Sequence, residues 1–447
     1  MYAFPLEQPL RLGGRNFCLA ILFVFARPSN IEIEVNVNSD RFQDNFCSIA
    51  QFGIQKNGGV TRLAFSREDM DARNFLIEAM RCARLQVSID PIGNIHGLRT
   101  GTDPSLAPVM IGSHLDTVPD GGHYDGVVGV LAALEVVSTL NDLEIETQRS
   151  IEIVNFSAEE SSRFGMATIG SKAITGKIEQ SDLTTLIDNN GESLHSVLSK
   201  AGQSLDDLPN STLTTSSLHA YLELHIEQGP VLENKEINIG IVTDIAAPTR
   251  FKVKIIGRSD HSGNTPMDMR QDALAGAAEI VLAVEQLTTN GGADTVGTVG
   301  ELNVHPGAMN VIPGQVELSI DIRDTNLGDK NKVVQQLKQR LNTIAKTRQL
   351  EIIITPICDD TPVKLSEQIA SRLSHHATKL GLSYLTMPSG AGHDAMHFAP
   401  IVPTGLIFIP SIQGISHNPE EKSTMTDIIN GTELLFSIVK ELATSTS

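Results

Sequence analysis

Several metal-binding side chains stand next to apolar runs in this 447-residue chain. His114 follows the apolar run at 109–113, and Asp125 stands at the start of a helix-like pattern of small residues. The loop between them, residues 119–124, is rich in glycine and can turn tightly enough to bring both side chains to one point. An imidazole and a carboxylate placed together in this way predict a metal site with hydrolytic chemistry.

Further candidate ligands also follow apolar runs. They are Glu160, with Glu159 beside it, after 151–156, His225 after 221–224, and His417 after 404–409. The five ligands can hold two divalent cations: Asp125 bridges them, His114 and His225 complete one, and Glu160 and His417 complete the other. Such a pair would retain a hydroxide between the cations. Zinc or manganese is expected with these ligands, and cobalt or nickel would also fit.

Each of these residues also has an ordinary structural explanation. A lone histidine beside a strand usually belongs to the core or the surface, and Asp125 alone would be a helix N-cap. The glutamate pair alone would be a solvated loop. The interpretation therefore depends on finding all five at successive strand ends; His123, in the glycine-rich turn, is left out.

The hydrophobic pattern predicts two architectures in one chain. Over 36–246, and again over 361–447, apolar strands alternate with helices, which is typical of an α/β catalytic domain with a mostly parallel sheet flanked by helices. Residues 247–360 follow the order strand-helix-strand-strand-helix-strand, which predicts an inserted ferredoxin-like α+β domain. Functional residues of the α/β domain are expected at the carboxyl ends of its strands.

The predicted elements have the following bounds. Helices are expected at 66–84, with Ser66 as N-cap, and at 125–140, 270–287, 330–345, 366–380 and 426–442. Strands are expected at 109–111, 151–156, 221–225, 251–256, 295–304, 316–322, 351–355 and 403–409.

Charge and cysteine content exclude several classes of protein. The net charge is -19 and there is no Lys/Arg block, so neither nucleic acid nor a membrane is expected as a partner. The four cysteines, Cys18, Cys47, Cys82 and Cys358, are too far apart for a zinc knuckle and are predicted to be buried thiols in a reducing compartment. The prediction is a cytoplasmic protein.

The apolar segment at 17–26 complicates this prediction. It is too short to span a bilayer and is compatible with a signal peptide, an extension from an upstream start codon, or a buried strand. Nothing else in the sequence indicates secretion, and residues 1–35 are treated as an N-terminal extension of undefined role.

Eight motifs together resemble one enzyme family. They are HLDTVPDGGHYDGVVGV, SAEESSRF, ELHIEQGPVLE, DHSGNTPMDMRQDAL, GAMNVIPG, DIRD, SGAGHDA and SHNPEE. From about residue 36 to the C-terminus the chain resembles the amidase/hydantoinase/carbamoylase family of dinuclear metallohydrolases, a branch of the aminoacylase/zinc carboxypeptidase superfamily. The branch includes N-carbamoyl-L-amino acid hydrolases, allantoate amidohydrolases and β-ureidopropionases. Peptidase relatives usually carry an acidic ligand where this chain has His225.

The resemblance implies roles for residues around the metal site. Glu159 would be the general acid/base, taking a proton from water and delivering it to the leaving nitrogen. Asp116 is placed to hydrogen-bond the far nitrogen of His114 and fix its tautomer, although an Asx-turn is the structural alternative. His261, in the inserted domain, would stabilise the oxyanion and often does so in the active site of the partner subunit.

The resemblance also implies substrate contacts. Asn310 and Arg323 would bind the substrate carboxylate, with Gln228 as a further contact. A surface ion pair with Asp321 or Asp324 is the alternative for Arg323. The glycines before His393 and Asp394 fit either a ligand or a tight structural turn.

The predicted function is metal-dependent hydrolysis of the carbamoyl C–N bond of N-carbamoyl-L-amino acids. Allantoate or ureidoglycine amidohydrolysis is the nearest alternative, followed by aminoacylase or dipeptidase activity. A catalytically inactive binding protein is disfavoured because every ligand and base position is filled. The resemblance implies a homodimer formed through the inserted domain. If the substrate contacts lie on this domain and the metals on the other, the inserted domain must close over the substrate, with hinges expected near 246–248 and 357–362.

Overall fold

The computed structural model describes residues 36–445. The strands are β1 (Gln86–Ile89), β2 (Ile95–Arg99), β3 (Val109–His114), β4 (Ile151–Phe156), β5 (Ala220–Ile226), β6 (Ile239–Ile245), β7 (Ala247–Ile256), β8 (Asp260–His261), β9 (Val296–His305), β10 (Val311–Ile312), β11 (Gln315–Asp324), β12 (Glu351–Asp359), β13 (Val363–Lys364), β14 (Tyr384–Ser389) and β15 (Thr404–Ile409). The α-helices are α1 (Ser39–Ile49), α2 (Arg67–Cys82), α3 (Val127–Asp142), α4 (Ile169–Ile174), α5 (Gln180–Leu183), α6 (Leu194–Lys200), α7 (Val231–Asn234), α8 (Ala273–Thr289), α9 (Leu327–Arg348), α10 (Glu367–Lys379), α11 (Ala395–Phe398) and α12 (Met425–Thr444).

Within residues 36–445, nine strands form the main sheet, in the order β1-β2-β4-β3-β5-β15-β6-β13 with β14 beside β6. The four central strands, β4, β3, β5 and β15, run parallel, whereas the pairs toward both edges are antiparallel except β6 with β14. Strands β3, β5 and β15 are buried along their whole length, because apolar helix layers cover both faces of the sheet. The predicted α/β architecture is confirmed.

Helix α3 lies directly against the centre of this sheet. It is apolar on nearly all sides and almost entirely buried. A Cβ atom at Gly129 would lie 2.2 Å from the carbonyl oxygen of Leu224 in β5, so only glycine permits this approach. The helix that follows Asp125 is therefore held tightly against the strand that carries His225.

A second, antiparallel sheet has the order β12-β7-β11-β9. Its chain order, β7-α8-β9-β11-α9-β12, is the strand-helix-strand-strand-helix-strand order that the sequence predicts, apart from the short strands β8 and β10. Phe251, Val253 and Ile255 point from β7 into a core shared with α8 and α9. The alternate residues of β7 therefore occupy the sheet face that these helices leave open.

Several local predictions have clear outcomes. Ser66 caps α2 by accepting a hydrogen bond from the main-chain N–H of Asp69, as predicted. The prediction of buried thiols is wrong for Cys47 and Cys82, which are exposed, and Cys358 is only partly buried. Cys18 and the apolar segment at 17–26 lie outside the described residues. No helix in the described range is long and apolar enough to cross a membrane.

Candidate metal centre

Four parallel strands bring the predicted ligands to one edge of the main sheet. His114 is the last residue of β3, and His225 is the next to last of β5. Glu159 and Glu160 follow β4, and His417 follows β15. Because neighbouring parallel strands end at the same edge, residues far apart in the sequence meet there.

Asp125 lies at the centre of this cluster. Its Oδ1 is 3.0 Å from Nε2 of His225 and 3.5 Å from Nε2 of His114. Its Oδ2 is 3.1 Å from Nε2 of His417, which in turn is 3.3 Å from Oε1 of Glu160. Asp125 is thus shared by two three-residue groups, and within each group the ligand atoms lie within 4.8 Å of one another. One carboxylate that bridges two cations requires this arrangement.

Main-chain carbonyls orient two of the imidazoles. His114 donates from Nδ1 to the carbonyl of Asp116 at 3.0 Å, and His225 donates from Nδ1 to the carbonyl of Ile226 at 2.8 Å. A carbonyl only accepts, so Nδ1 carries the proton, and in the neutral ring Nε2 is free to coordinate a cation. The donor atoms that face Asp125 therefore fit a divalent metal.

The carboxylate of Asp116 does not take the predicted role. Its Oδ1 is 3.8 Å from Nδ1 of His114, beyond hydrogen-bond distance. Its two oxygens instead accept the main-chain N–H groups of Glu159 and Glu160 at 3.2 and 3.0 Å. The tautomer of His114 is fixed by the carbonyl of Asp116, because the turn after β3 directs that carbonyl, rather than the side chain, at the ring.

Glu159 and Glu160 point to different parts of the cluster. Oε2 of Glu159 is 3.7 Å from Nε2 of His114, whereas Glu160 contacts His417. Ala158 before them has a φ of 53°, which turns the chain sharply enough to separate the two side chains. Burial raises the pKa of Glu159 well above its usual range, although the charge of His114 opposes the shift. A raised pKa suits a group that must take up and release a proton.

The imidazoles compensate the buried charge of Asp125. Burial disfavours the ionised carboxyl, but His225, His114 and His417 hold the pKa of Asp125 well below its usual range. Hydrogen bonds to Asp125 and Glu160 raise the pKa of His417 to about 11, against the effect of burial. The cluster thus attracts positive charge, which metal cations would supply on displacing the imidazole protons.

Gly126 allows His114 to approach the start of α3. Gly126 has a φ of 67°, and a Cβ atom there would lie 2.4 Å from Cε1 of His114. Glycine therefore satisfies two needs, a left-handed backbone and space for the imidazole.

Glu421 is 3% exposed and was not among the residues predicted from the sequence. Its Oε1 accepts the main-chain N–H groups of Tyr124 and Asp125, and its Oε2 accepts the Ser416 hydroxyl and the main-chain N–H of His417. The acidic pair at the end of SHNPEE was the available signal, but Tyr124 and Asp125 are almost 300 residues away from it along the chain.

Gln228 is also part of the cluster. Its Nε2 donates to Oδ2 of Asp125 at 2.7 Å and lies 3.4 Å from Nε2 of His417. Its Oε1 is buried without a hydrogen-bond partner among residues 36–445. An unsatisfied acceptor beside the candidate metal ligands is available to a substrate N–H group.

A cavity of about 190 Å³ opens onto these ligands. Its other lining residues include Pro248 and Arg250 from β7, Arg323 from β11, and Asp360 after β12. The cavity therefore joins the edge of the main sheet that carries the candidate ligands to one end of the four-stranded sheet. Arg250 was not among the predicted site residues. The available signal was its charge, at a position between Thr249 and the core residue Phe251.

Arg323 lines the cavity but also forms the ion pair that was its structural alternative. Its Nε and Nη2 donate to the two carboxylate oxygens of Asp321, each at 3.0 Å. Its Nη1 donates to the carbonyl of Gly390 at 3.0 Å, which links the second sheet to the loop after β14.

His261 and Asn310 are not brought to this cavity. His261 lies in β8, which pairs with β10, and Asn310 immediately precedes β10. Ser262 N–H donates to the carbonyl of Asn310 at 3.1 Å, and both His261 and Asn310 are exposed. Nδ1 of His261 accepts two main-chain N–H groups, from Gly263 and Asn264. The ring is therefore oriented even though it does not line the cavity of its own chain.

The glycine-rich segment before His393 has a mixed role. Ala391 and Gly392 line the cavity, whereas His393 and Asp394 are buried behind it. The His393 ring packs edge-on against that of His225, with centroids 4.6 Å apart. The segment thus both lines the cavity and packs against His225, a candidate metal ligand.

Comparison with known sequences decides the family. Residues 110–441 match the profile of Peptidase family M20/M25/M40. The chain belongs to this family. The M20 chain is 40% identical over 412 residues to an N-carbamoyl-L-amino-acid amidohydrolase of Pseudomonas sp. (strain NS671), covering 91% of this chain and 99% of the relative. It is 39% identical over 447 residues to a ureidoglycolate hydrolase of Arabidopsis thaliana, covering 98% of this chain and 91% of that relative.

A solved structure agrees with this assignment. An amidase of the hydantoinase/carbamoylase family from Burkholderia multivorans matches with a TM-score of 0.85 at 33% identity, covering 92% of this chain and all of that one. The resemblance drawn from the motifs is therefore confirmed. This M20 protein is an amidohydrolase, an enzyme that hydrolyses amide C–N bonds.

Proposed function

We propose that this M20 enzyme hydrolyses the carbamoyl C–N bond of N-carbamoyl-L-amino acids. One observation carries the proposal: a single cavity is lined both by the cluster around Asp125 and by two arginines, Arg250 and Arg323. Such a cavity suits a substrate with a hydrolysable group at one end and a carboxylate at the other. The name of the Pseudomonas relative supports the same substrate class.

The metal ligands in the proposal are the five predicted residues. His114 and His225 would share one cation with Asp125, and Glu160 and His417 would share the other. Zinc or manganese is proposed, with cobalt and nickel as further candidates, because imidazole and carboxylate donors suit all four. Two cations bound here would activate a water molecule and polarise the carbonyl group of the substrate.

The residues of the chain carry the proton transfers in this proposal. Glu159 accepts a proton from the attacking water and then delivers it to the departing nitrogen, as its buried, raised-pKa carboxyl permits. Gln228 offers its free Oε1 to a substrate N–H group. Water adds to the carbamoyl carbon and one C–N bond breaks. The carbamic acid that results decomposes, so the products are ammonia, carbon dioxide and the free amino acid.

Residues 247–360 are proposed as a lid and dimerisation domain. Their two connections to the main sheet run side by side: Asp360 N–H donates to the carbonyl of Pro248, and Thr249 donates to Asp359. Paired connections of this kind suit a hinge at 246–248 and 357–362. The edge strand β9 is largely exposed, including Val296 and Leu302, and would be available to a second copy of the chain.

In the proposed homodimer, His261 and Asn310 act outside the open cavity of their own chain. Both side chains are exposed, so each can reach substrate in the partner subunit or after closure. His261 would stabilise the oxyanion, and Asn310 would contact the substrate carboxylate together with Arg323. A cytoplasmic location belongs to the same proposal and is supported by the three cysteines within residues 36–445, which are all free thiols.

A ureidoglycolate or allantoate hydrolase is the second candidate. The Arabidopsis relative favours it, and these substrates also carry a ureido group and a carboxylate. The metal-reconstituted enzyme should be assayed for release of ammonia and, in parallel, of free amino acid. The substrates are N-carbamoyl-L-amino acids, ureidoglycolate, allantoate and N-acetyl amino acids, and the last class releases an amino acid but no ammonia. We expect the highest activity with N-carbamoyl-L-amino acids. We also expect Glu159→Gln to lose this activity while it keeps its metal content. Activity confined to N-acetyl substrates would contradict the proposal.

A further inference from the structure

The guanidinium of Arg323 is already engaged in the cavity. Nε and Nη2 form a two-pronged contact with Asp321, and Nη1 donates to the carbonyl of Gly390. A substrate carboxylate that needs two parallel N–H donors would therefore compete with Asp321 for the same edge of Arg323. Arg323 alone does not offer a free fork.

Arg250 has the donors that Arg323 lacks. It faces Asp321 across the β7–β11 pair, and its Nε donates to Oδ2 of Asp321 at 2.7 Å. Among residues 36–445, no group accepts a hydrogen bond from its two terminal nitrogens. Its side chain is 38% exposed and lines the cavity, so these nitrogens remain available to a ligand.

Asp321 places the two arginines side by side. Each of its oxygens is used, Oδ1 by Arg323 and Oδ2 by both arginines, and the two cations balance one carboxylate with a charge of +1 left over. Asp360 also lines the cavity and acts on Arg250 electrostatically, but it forms no ion pair or hydrogen bond with it. The terminal nitrogens of Arg250 therefore have no hydrogen-bonded partner among residues 36–445 and are open to an anion from solution.

We propose that Arg250 binds the carboxylate of the substrate through its two terminal nitrogens, and that Asp321 is the positioning residue that holds Arg250 beside Arg323. This inference rests on the proposed function and adds a specificity-determining residue to it. A planar guanidinium favours a carboxylate over a neutral amide, because both N–H groups meet acceptor oxygens. The preference for an acid over its carboxamide is assigned to this pair of arginines.

The test compares N-carbamoyl-L-alanine with its carboxamide in the wild type and in Arg250→Gln, Arg250→Lys and Asp321→Asn. For the acid, KM is expected to rise at least about tenfold in Arg250→Gln and Asp321→Asn, and less in Arg250→Lys, which keeps the charge but loses the fork. For the carboxamide, KM should stay within about twofold, and kcat should change little for either substrate.

Lys254→Gln is the matched control. Lys254 lies on the same face of β7 and forms its own cross-strand ion pair with Glu317 at 3.3 Å, but it does not line the cavity. Its KM values should equal those of the wild type. If Arg250→Gln does not fold, the acid-to-carboxamide ratio in Arg250→Lys decides.

The outcomes separate this inference from the proposed function. A wild type inactive on both carbamoyl substrates would refute the function. A wild type that is active, with an acid-to-carboxamide ratio unchanged in the Arg250 variants, would refute only the role of Arg250.

Discussion

Glu421 holds Asp125 and His417 in one hydrogen-bonded unit. Its Oε1 accepts the N–H of Asp125 at 3.1 Å, and its Oε2 accepts the N–H of His417 at 3.2 Å. One buried carboxylate thus fixes the turn before α3 and the loop after β15, although each supplies a different side chain to the cluster. The relative position of the shared carboxylate and the most exposed imidazole depends on this contact.

Glu421→Gln should therefore weaken metal binding. A glutamine retains one acceptor oxygen, but its NH₂ group would face N–H donors of the other segment, so one segment loses its anchor. Metal affinity is expected to fall about 10- to 100-fold, the usual effect of losing a residue that orients a ligand. Metal content after dialysis against graded chelator measures this loss.

Glu420→Gln is the control for that substitution. Glu420 is the exposed neighbour of Glu421 and does not reach the cluster. It should keep wild-type metal content. Equal retention of metal by both variants would show that Glu421 does not position the ligands.

Gly126→Ala should damage the cluster through His114. The new methyl group would lie 2.4 Å from the imidazole, and the backbone there has a φ of 67°. Gly191→Ala isolates the backbone cost, because Gly191 has a φ of 81° and no atom within 4 Å of the added Cβ. Both variants should lose roughly 1–2 kcal/mol of unfolding free energy from strain, but only Gly126→Ala should also lose metal and activity. Denaturation and metal analysis of the two variants make the comparison.

The strand-end rule explains why the clustering of these candidate ligands was predictable. His114, His225 and His417 follow buried apolar runs, and parallel neighbours must deliver their ends to one edge. That prediction requires only that each candidate residue follows a buried strand along the chain. The same reasoning gave the order of elements around the four-stranded sheet, because alternating and helical periodicities differ clearly there.

Contacts that depend on register or on turn conformation were not predictable. Arg250 meets Asp321 because β7 and β11 pair in one particular register, which the pattern of apolar residues leaves open along the exposed face. The carbonyl of Asp116, rather than its carboxylate, meets His114 because of the local backbone angles of one turn. His261 was assigned by resemblance, and its place on the exposed ribbon follows from the pairing of β8 with β10.

His96 provides a pH-dependent contribution to stability away from the metal centre. Its Nδ1 lies 2.8 Å from Glu152 and its Nε2 lies 3.4 Å from Asp90. Burial opposes its charge, but the two acidic partners raise the pKa of His96 to about 10. Because this folded-state pKa lies above the unfolded value of about 6.5, the stabilisation is complete below pH 6.5 and is lost as pH rises towards 10.

His96→Gln should therefore cost most at low pH. The variant is expected to lose roughly 1–3 kcal/mol of unfolding free energy near pH 6 and much less near pH 10. Denaturant unfolding of metal-saturated protein at pH 6, 8 and 10 measures the difference. The exposed His195→Gln serves as control and should show no loss at any pH. A loss that is the same at all three pH values would contradict the assigned charge of His96.

Arg323→Lys should weaken substrate binding and leave the metal ligands intact. A lysine ammonium has no planar fork, so it cannot keep both contacts with Asp321 while also reaching the carbonyl of Gly390. KM for a carbamoyl amino acid is expected to rise about tenfold, whereas metal content should equal that of the wild type. Arg258→Lys is the control. Arg258 also lies within residues 247–360 and pairs with an aspartate, Asp260, at 3.4 Å, but it does not line the cavity. Parallel loss of metal and activity in Arg323→Lys would mean that Arg323 supports the fold of the site instead of contacting substrate.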